Sequence, residues 1–207
     1  MADAAGGVGL PRRSIAAVIA LSVVALLAEL GYQTTAVAGM PYFLREVFRL
    51  RMEQIGLINM AFLVAETGGK VPFAALSDRL GRWPFVVGGP LLSAVAAFGV
   101  TQVSSAGWVM ALRALDGLGA AMLWPTLFAA IADLVDDRFR ATAMSLFNLM
   151  YIGGLVLGPL TYSAVFSATG SHVSIFYVLG SLFLACVVVA AVATQLLLLG
   201  AVASIIR

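Results

Sequence analysis

The sequence has little charge, one cysteine and one histidine, and each shortage excludes a class of protein. Charged residues make up 11% of the 207 residues and hydrophobic residues 62%, whereas soluble domains are about a quarter charged and about half apolar. This composition indicates an integral membrane protein. The net charge of +2, without a basic stripe, gives no basis for nucleic-acid binding. Cys186 has no partner for an internal disulfide, and His172 lacks the neighbouring ligands that a metal site needs.

Catalytic motifs are missing as well. The sequence contains no Gly-x-Ser-x-Gly, no His-Glu-x-x-His and no phosphate-binding glycine loop, which are the patterns that hydrolases, metalloproteases and nucleotide-binding enzymes need. We therefore expect neither an enzyme nor a cofactor, and no catalytic or metal-binding residue is predicted.

Long hydrophobic runs dominate the chain. A helix needs about 20 apolar residues to cross roughly 30 Å of hydrocarbon, and the runs do not alternate as barrel strands would. Six runs qualify, at residues 15–42, 55–76, 85–103, 109–132, 141–166 and 173–199. We predict an all-α membrane domain of six transmembrane helices at residues 14–199, between an N-terminal cytoplasmic segment (1–13) and a C-terminal tail (200–207).

Arginines in the short connections orient these helices. Arg12 and Arg13 precede a first run that is too long for a signal peptide, so we expect it to be retained as a span. One side carries seven arginines, which are Arg12, Arg13, Arg79, Arg82, Arg138, Arg140 and Arg207. The other side carries three, which are Arg45, Arg49 and Arg51. This bias places both termini in the cytoplasm, in a bacterial inner membrane.

Charged residues inside the runs are candidates for function, since a charge near the bilayer centre is costly. Glu29 lies near the middle of the first run, with Gln33 on the same face. It is either a protonatable or substrate-facing carboxylate, or a neutral group bonded to a neighbouring helix. Glu66 and Lys70 lie one turn apart and form either a self-satisfied ion pair or a proton- and substrate-binding pair.

The fourth run contains the other two charged candidates. Arg113 lies about one turn from the outer surface, where its side chain could snorkel to water, and Asp116 is placed to pair with it. We predict that substrate and proton coupling depend on six residues, which are Glu29, Gln33, Glu66, Lys70, Arg113 and Asp116.

Small residues indicate where helices approach closely. Gly117 and Ala121 are four residues apart on the fourth run, and Gly154 and Gly158 are four apart on the fifth, followed by Pro159. Small-xxx-small spacing lets two helices pack in close contact, and the proline favours a kink.

Four segments resemble motifs of the major facilitator superfamily. Residues 74–83, Ala-Ala-Leu-Ser-Asp-Arg-Leu-Gly-Arg-Trp, are similar to its signature loop G-x-x-x-D-R-x-G-R-R between helices two and three. Asp78, Arg79, Gly81 and Arg82 match this pattern, whereas Ala74 and Trp83 depart from it.

The other three segments follow in the family's order. Residues 113–121 resemble its fourth-helix motif, and Asp133 with Arg138 and Arg140 resembles the cytoplasmic end of that helix and the next loop. Residues 154–159 resemble the G-x-x-x-G-P core of the fifth-helix motif of drug/proton antiporters, although Thr161 and Tyr162 stand where glycines would follow.

The resemblance implies a fold and a function. The fold would be one six-helix half of a twelve-helix transporter, itself a 3+3 inverted repeat. The function would be secondary active transport, expected to be proton-coupled, of a small organic or amphipathic solute. Arg82, Asp133 and Arg140 would join Asp78 in a charge cluster at the cytoplasmic surface that acts as a latch between conformations.

Six helices do not enclose a twelve-helix cavity, so the resemblance also implies a partner. Besides the lipid bilayer and a small-molecule substrate, we expect a second six-helix half, supplied by a homodimer or by a separate chain. The sequence is alternatively a fragment of a longer one, or a non-transporting subunit within a larger membrane complex.

Overall fold

The computed structural model describes the backbone of residues 12–205 and the side chains of residues 14–195. The described part is helical, with short connections. The helices are α1 (Arg12–Gln33), α2 (Met40–Glu46), α3 (Met52–Leu80), α4 (Trp83–Val100), α5 (Ala106–Asp133), α6 (Asp137–Thr169) and α7 (His172–Ile205). A π-helical segment, Thr34–Gly39, joins α1 to α2 without a break, so the chain makes six long helical segments.

Helix ends coincide with residues suited to them. The Ser105 hydroxyl accepts a hydrogen bond from the Trp108 backbone at the start of α5, as an N-cap residue does. Gly81 ends α3 with φ +92° and Gly170 ends α6 with φ +63°, and glycine adopts such positive φ values without steric cost. These turns reverse the chain within two or three residues, so successive helices run antiparallel.

The packing of the helices repeats after three segments. The first segment packs on the fifth and sixth, α6 and α7; the fourth, α5, packs in the same way on the second and third, α3 and α4. The third and sixth segments pack on each other. Exchanging the first three segments with the last three therefore preserves the contacts. Because three is an odd number, the two units run in opposite directions, and this is the 3+3 inverted repeat that the resemblance implies.

Each predicted apolar run falls on one of these segments, although the third extends beyond the end of α4. Five segments are long and apolar enough to cross a membrane, namely Ser14–Glu46, Trp83–Val100, Ala106–Asp133, Asp137–Thr169 and His172–Gln195. α3 has 29 residues, which is also sufficient length, but Glu66 and Lys70 near its middle lower its mean hydropathy.

The structure places some boundaries elsewhere than the sequence does. The third run was predicted to reach residue 103, but α4 ends at Val100 because Thr101 and Gln102 turn back onto the Phe98 and Gly99 carbonyls. The predicted tail boundary after residue 199 falls inside α7. Residues 1–11 of the predicted N-terminal segment and 206–207 of the tail lie outside the described residues.

Candidate functional site

A cavity of about 270 Å³ opens on one face of the bundle, between α1, α3, α5 and α6. Its walls hold polar groups among aromatic rings. The lining side chains include Glu29, Tyr32, Gln33, Asn59, Phe62, Glu66, Arg113, Trp124 and Tyr151. A second cavity of about 320 Å³ shares Glu66, Trp124 and Tyr151 with the first and adds Lys70 and Phe128. Because three side chains line both, we describe the two cavities together as the central groove.

Glu29 lies in the wall of this groove and has a neutral hydrogen-bond partner. The Gln33 amide nitrogen, one turn further along α1, donates to the Glu29 carboxylate at 2.7 Å. Tyr151 of α6 lines the same cavity. Glu29 is only 3% exposed. Its carboxyl group is therefore shielded from bulk water, and the Gln33 amide can bond either its charged or its protonated form.

Glu66 and Lys70 form an ion pair within α3. The Lys70 ammonium lies 2.8 Å from the Glu66 carboxylate, and the two side chains are 45% and 15% exposed, respectively. Both side chains line the central groove. The pair therefore contributes no net charge to the groove while it stays closed.

Arg113 and Asp116 form a second pair, buried behind the wall of the groove. The Arg113 guanidinium lies 2.5 Å from the Asp116 carboxylate, with the side chains 3% and 8% exposed. The guanidinium also lies over the Phe62 ring, 4.4 Å from its centroid, an arrangement that stabilises a cation. Arg113 does not snorkel outward. It lines the groove, whereas Asp116 lines a small internal cavity instead.

Aromatic residues complete the groove, and the sequence prediction did not include them in the site. The Tyr32 ring lies 5.8 Å from that of Phe62 and 6.0 Å from that of Trp124, and the Trp124 ring meets Tyr151 edge-on at 5.2 Å. The Tyr32 hydroxyl lies 2.9 Å from the Ser93 hydroxyl, which fixes the ring. Spacing on the fourth and fifth runs places Trp124 and Tyr151 on the polar faces, and that signal could have identified them.

Glycines bring the four walls together. A Cβ atom on Gly154 would lie 2.5 Å from the Leu26 carbonyl oxygen, and one on Gly158 would lie 2.6 Å from Gln33 Cβ. α1 and α6 therefore touch backbone to backbone beside Glu29. Gly117 packs against the Phe62 carbonyl of α3 in the same way, and Ala121 contacts Gly69. Pro159, next to this contact, is exposed.

The turn between α3 and α4, at which the motif residues 78–82 lie, forms a separate charge cluster at the C-terminal ends of α3 and α5. Arg82 pairs with Asp78 one turn earlier, lies 3.3 Å from Asp133 at the end of α5, and donates to the Ser77 hydroxyl at 3.2 Å. We call Asp78, Arg82 and Asp133 the turn cluster. It ties the α3–α4 turn to the end of α5.

Three other residues predicted for this region do not join the turn cluster. Arg140 pairs with Asp137 at 2.8 Å, within α6. The Arg138 guanidinium lies over the Phe139 ring, 4.5 Å from its centroid. Both arginines lie on the first turn of α6, and each contacts a side chain of α6, Asp137 or Phe139, instead of Asp133. Arg79 is exposed.

His172 lies in an aromatic cluster that sequence reasoning missed. Its ring stacks on Phe166 at 4.6 Å, and its Nδ1 lies 3.0 Å from the Tyr162 hydroxyl. Tyr42 stacks on Tyr162 at 5.4 Å. These side chains join α2, α6 and α7 at the end of the bundle opposite the turn cluster. The contacts of His172 are therefore packing contacts between helices.

Comparisons with known proteins agree with this architecture. A chloramphenicol resistance protein of Pseudomonas aeruginosa is 32% identical over 170 residues, which cover 77% of this chain and 40% of that protein. The methyl viologen resistance protein SmvA of Salmonella typhimurium (strain LT2) is 31% identical over 109 residues, covering 52% and 22%. A solved bacterial homologue of the human lysosomal transporter Spinster, inward-facing and unoccupied, matches with a TM-score of 0.76 at 18% identity, over 91% of this chain and 44% of that one.

The chain spans less than half the length of each of these proteins. The structural match at 18% identity supports the fold. The family model of the Major Facilitator Superfamily matches residues 21–198, nearly all of the six-helix domain. With this match, the inverted repeat and the motif segments in their expected order, the chain belongs to the Major Facilitator Superfamily.

Proposed function

We propose that this chain forms one six-helix half of a secondary active transporter that couples the movement of a small amphipathic organic solute to protons. The observation that carries the proposal is Glu29. It is a buried carboxyl group in the wall of an open groove, and its described hydrogen-bond partner, Gln33, is neutral.

Glu29 differs in this respect from the other charges of the groove. Lys70 neutralises Glu66, and Asp116 neutralises Arg113. A carboxyl group shielded from water, without a cationic partner, can bind and release a proton in the physiological range. Proton binding at Glu29 would change the net charge of the groove by one unit, and a solute there would sense that change.

The lining of the groove suits an amphipathic solute. The Phe62, Trp124 and Tyr151 rings offer apolar surface, and Asn59 with Gln33 offers amide groups. Binding sites for small molecules combine apolar walls with a few polar groups in this way. The names of two relatives, which refer to resistance to chloramphenicol and to methyl viologen, are consistent with an organic solute.

A second six-helix unit would close the open side of the groove. α3 and α6 flank the opening and expose large apolar side chains there and beyond, among them Leu63 (57%), Val71 (78%) and Leu149 (66%). The relatives are more than twice as long as the matched region. We propose a second copy or a separate chain as the partner, with the turn cluster acting as a latch between conformations.

Transport in sealed liposomes tests proton coupling. The purified protein is reconstituted, a pH gradient is imposed, and accumulation of radiolabelled chloramphenicol is measured. We expect accumulation that collapses when a protonophore removes the gradient. Glu29→Gln should abolish gradient-driven accumulation and leave exchange of labelled for unlabelled solute, since the substituted amide can still accept the Gln33 hydrogen bond but does not titrate.

The matched control is Glu53→Gln, which removes an exposed carboxylate at the start of α3, far from the groove. It should behave as the unsubstituted protein. Full gradient-driven accumulation by Glu29→Gln, or no flux by the intact protein under any gradient, would contradict the proposal.

The mass of the purified complex tests the partner. Native mass spectrometry in detergent should give twice the chain mass for a self-paired half, or a stable hetero-complex for a separate second half. A monomer as the sole species would contradict both forms of pairing.

A further inference from the structure

A second groove lies outside the central one, between the ends of α1 and α6 nearest the turn cluster. Its volume is about 220 Å³. Ile15 and Ile19 line it from α1, and Phe139, Thr142 and Leu146 line it from α6. The Thr142 hydroxyl is the one polar side-chain group among the lining residues. We call this the lateral groove.

The lateral groove is separate from the central groove. On α6, Tyr151 faces the central groove, whereas Phe139, Thr142 and Leu146 lie about 120–180° around the helix from it, at 3.6 residues per turn. The lateral groove shares no lining residue with the central one. It therefore opens on the other side of the contact between α1 and α6.

Arg138 contacts a side chain that lines this groove. The Arg138 guanidinium lies 4.5 Å from the centroid of the Phe139 ring, and that ring is part of the groove wall. Arg138 is exposed, and within the described part of the chain its guanidinium has no carboxylate within 4.0 Å. The nearby Asp137 is engaged by Arg140 at 2.8 Å.

The described residues at the mouth of the groove leave one cation without an ion pair. Arg138 and Arg140 lie there beside Asp136 and Asp137, so the four charges sum to zero, but the pair between Arg140 and Asp137 leaves the exposed Arg138 guanidinium open to a ligand. The first turn of α6 adds the positive end of its helix dipole.

We infer that the lateral groove binds one anionic glycerophospholipid, with an acyl chain between α1 and α6 and its phosphate at Arg138. Basic pockets between membrane helices recognise anionic lipid headgroups, and a guanidinium is well suited to a phosphate. A second copy of this chain is the less suitable occupant, because it would bring a second unpaired Arg138 against the first.

The test is lipid retention by the full chain, purified in detergent and incubated with equal amounts of phosphatidylglycerol and phosphatidylcholine of identical acyl composition. Native mass spectrometry counts the lipid of each type that stays bound. We expect one phosphatidylglycerol to be retained in preference to phosphatidylcholine. Arg138→Gln should reduce that preference about fivefold, the effect of one basic group at a membrane surface.

Two matched controls separate the groove from general attraction of charge. Arg45→Gln removes an exposed arginine from the opposite end of the bundle and should leave the preference unchanged. Arg138→Lys keeps the positive charge and should retain most of it. All variants are compared at equal helicity and as monodisperse species, so that a misfolded sample is not counted.

A second variant tests the acyl-chain part of the site. Thr142→Trp fills the groove from an exposed position, and it should lower retention of both lipids. Leu160→Trp places the same side chain at an exposed position near the other end of α6 and should not.

Three outcomes would overturn the inference. The first is equal retention of the two lipids by the unsubstituted protein. The second is an equal loss of preference in Arg45→Gln and Arg138→Gln. The third is a lipid-free dimer whose groove becomes accessible to lipid only after the two copies dissociate.

Discussion

The Arg113–Asp116 pair and the turn cluster use the same chemistry at opposite degrees of burial. Each joins an arginine to an aspartate three or four residues away on or beside one helix. The Arg113 and Asp116 side chains are 3% and 8% exposed. In the turn cluster the Arg82, Asp78 and Asp133 side chains are 26%, 62% and 63% exposed.

Access to water determines how much each of these ion pairs contributes to the free energy of unfolding. Removing one partner of a buried pair leaves an uncompensated charge in a low dielectric, whereas an exposed partner is replaced by water and salt ions. A buried pair is therefore suited to holding one structure, and an exposed pair to opening and closing. We therefore propose a structural role for Asp116 behind the groove wall and a switching role for the turn cluster at the surface.

The largest expected effect is that of Asp116→Asn. Arg113 would remain buried without a carboxylate, so the free energy of unfolding should fall by about 3–5 kcal/mol. Thermal unfolding in detergent, followed by intrinsic fluorescence, measures it. The double variant Arg113→Met with Asp116→Leu should recover most of the loss, because no charge stays buried. A loss below about 1 kcal/mol in the single variant would remove the distinction between the two pairs.

An intermediate effect is expected for Glu66→Gln. The Glu66–Lys70 pair is partly exposed at 15% and 45%, so Lys70 can reach water when its partner is neutralised. The loss of unfolding free energy should be about 1–2 kcal/mol, between the exposed and buried limits. The same unfolding measurement applies. A loss as large as that of Asp116→Asn would show that exposure at the groove does not supply water to Lys70.

A smaller effect is expected for Asp133→Asn in the turn cluster, about 1 kcal/mol or less, since surface ion pairs contribute little. The loss should shrink further in 1 M salt, where the Debye length falls to about 3 Å. Unfolding midpoints at low and high salt measure this. If the loss is independent of salt, Asp133 is in effect buried, for instance by a second six-helix unit lying on the turn.

The smallest effect is expected for Arg49→Gln. The Arg49–Glu46 pair spans 3.6 Å, with the side chains 81% and 47% exposed, and such pairs often contribute nothing measurable. The unfolding midpoint should stay within experimental error. A clear loss of stability in Arg49→Gln would mean that burial does not determine the order in which these four pairs contribute to stability.

Much of the fold was predictable because it follows from composition and motif order. The apolar runs located the helices, and the segments at 74–83 and 113–121 indicated the family. Boundaries were less predictable. α4 ends at Val100 rather than residue 103, since a turn closed by local hydrogen bonds can carry apolar residues.

The candidate site was predictable in its charged residues and less so in its partners. Glu29, Glu66 and Arg113 stand out because charge is rare in an apolar run, and they line one groove. The aromatic walls are harder to identify, since Phe62 and Trp124 resemble any core residue until the helices are packed. Arg140 was expected beside Asp133, but one turn of α6 brings it to Asp137.

The sequence by itself indicated a membrane protein, because long apolar runs have few other physical solutions, and the order of its motif segments indicated the family. It also predicted which charges lie within the apolar runs. Tertiary structure alone decided how those charges differ. Burial against Phe62 closed the Arg113–Asp116 pair, the close contact at Gly154 and Gly158 placed Tyr151 beside Glu29, and the turn cluster stayed in water. Burial and contact between distant helices depend on packing, which no single stretch of sequence contains.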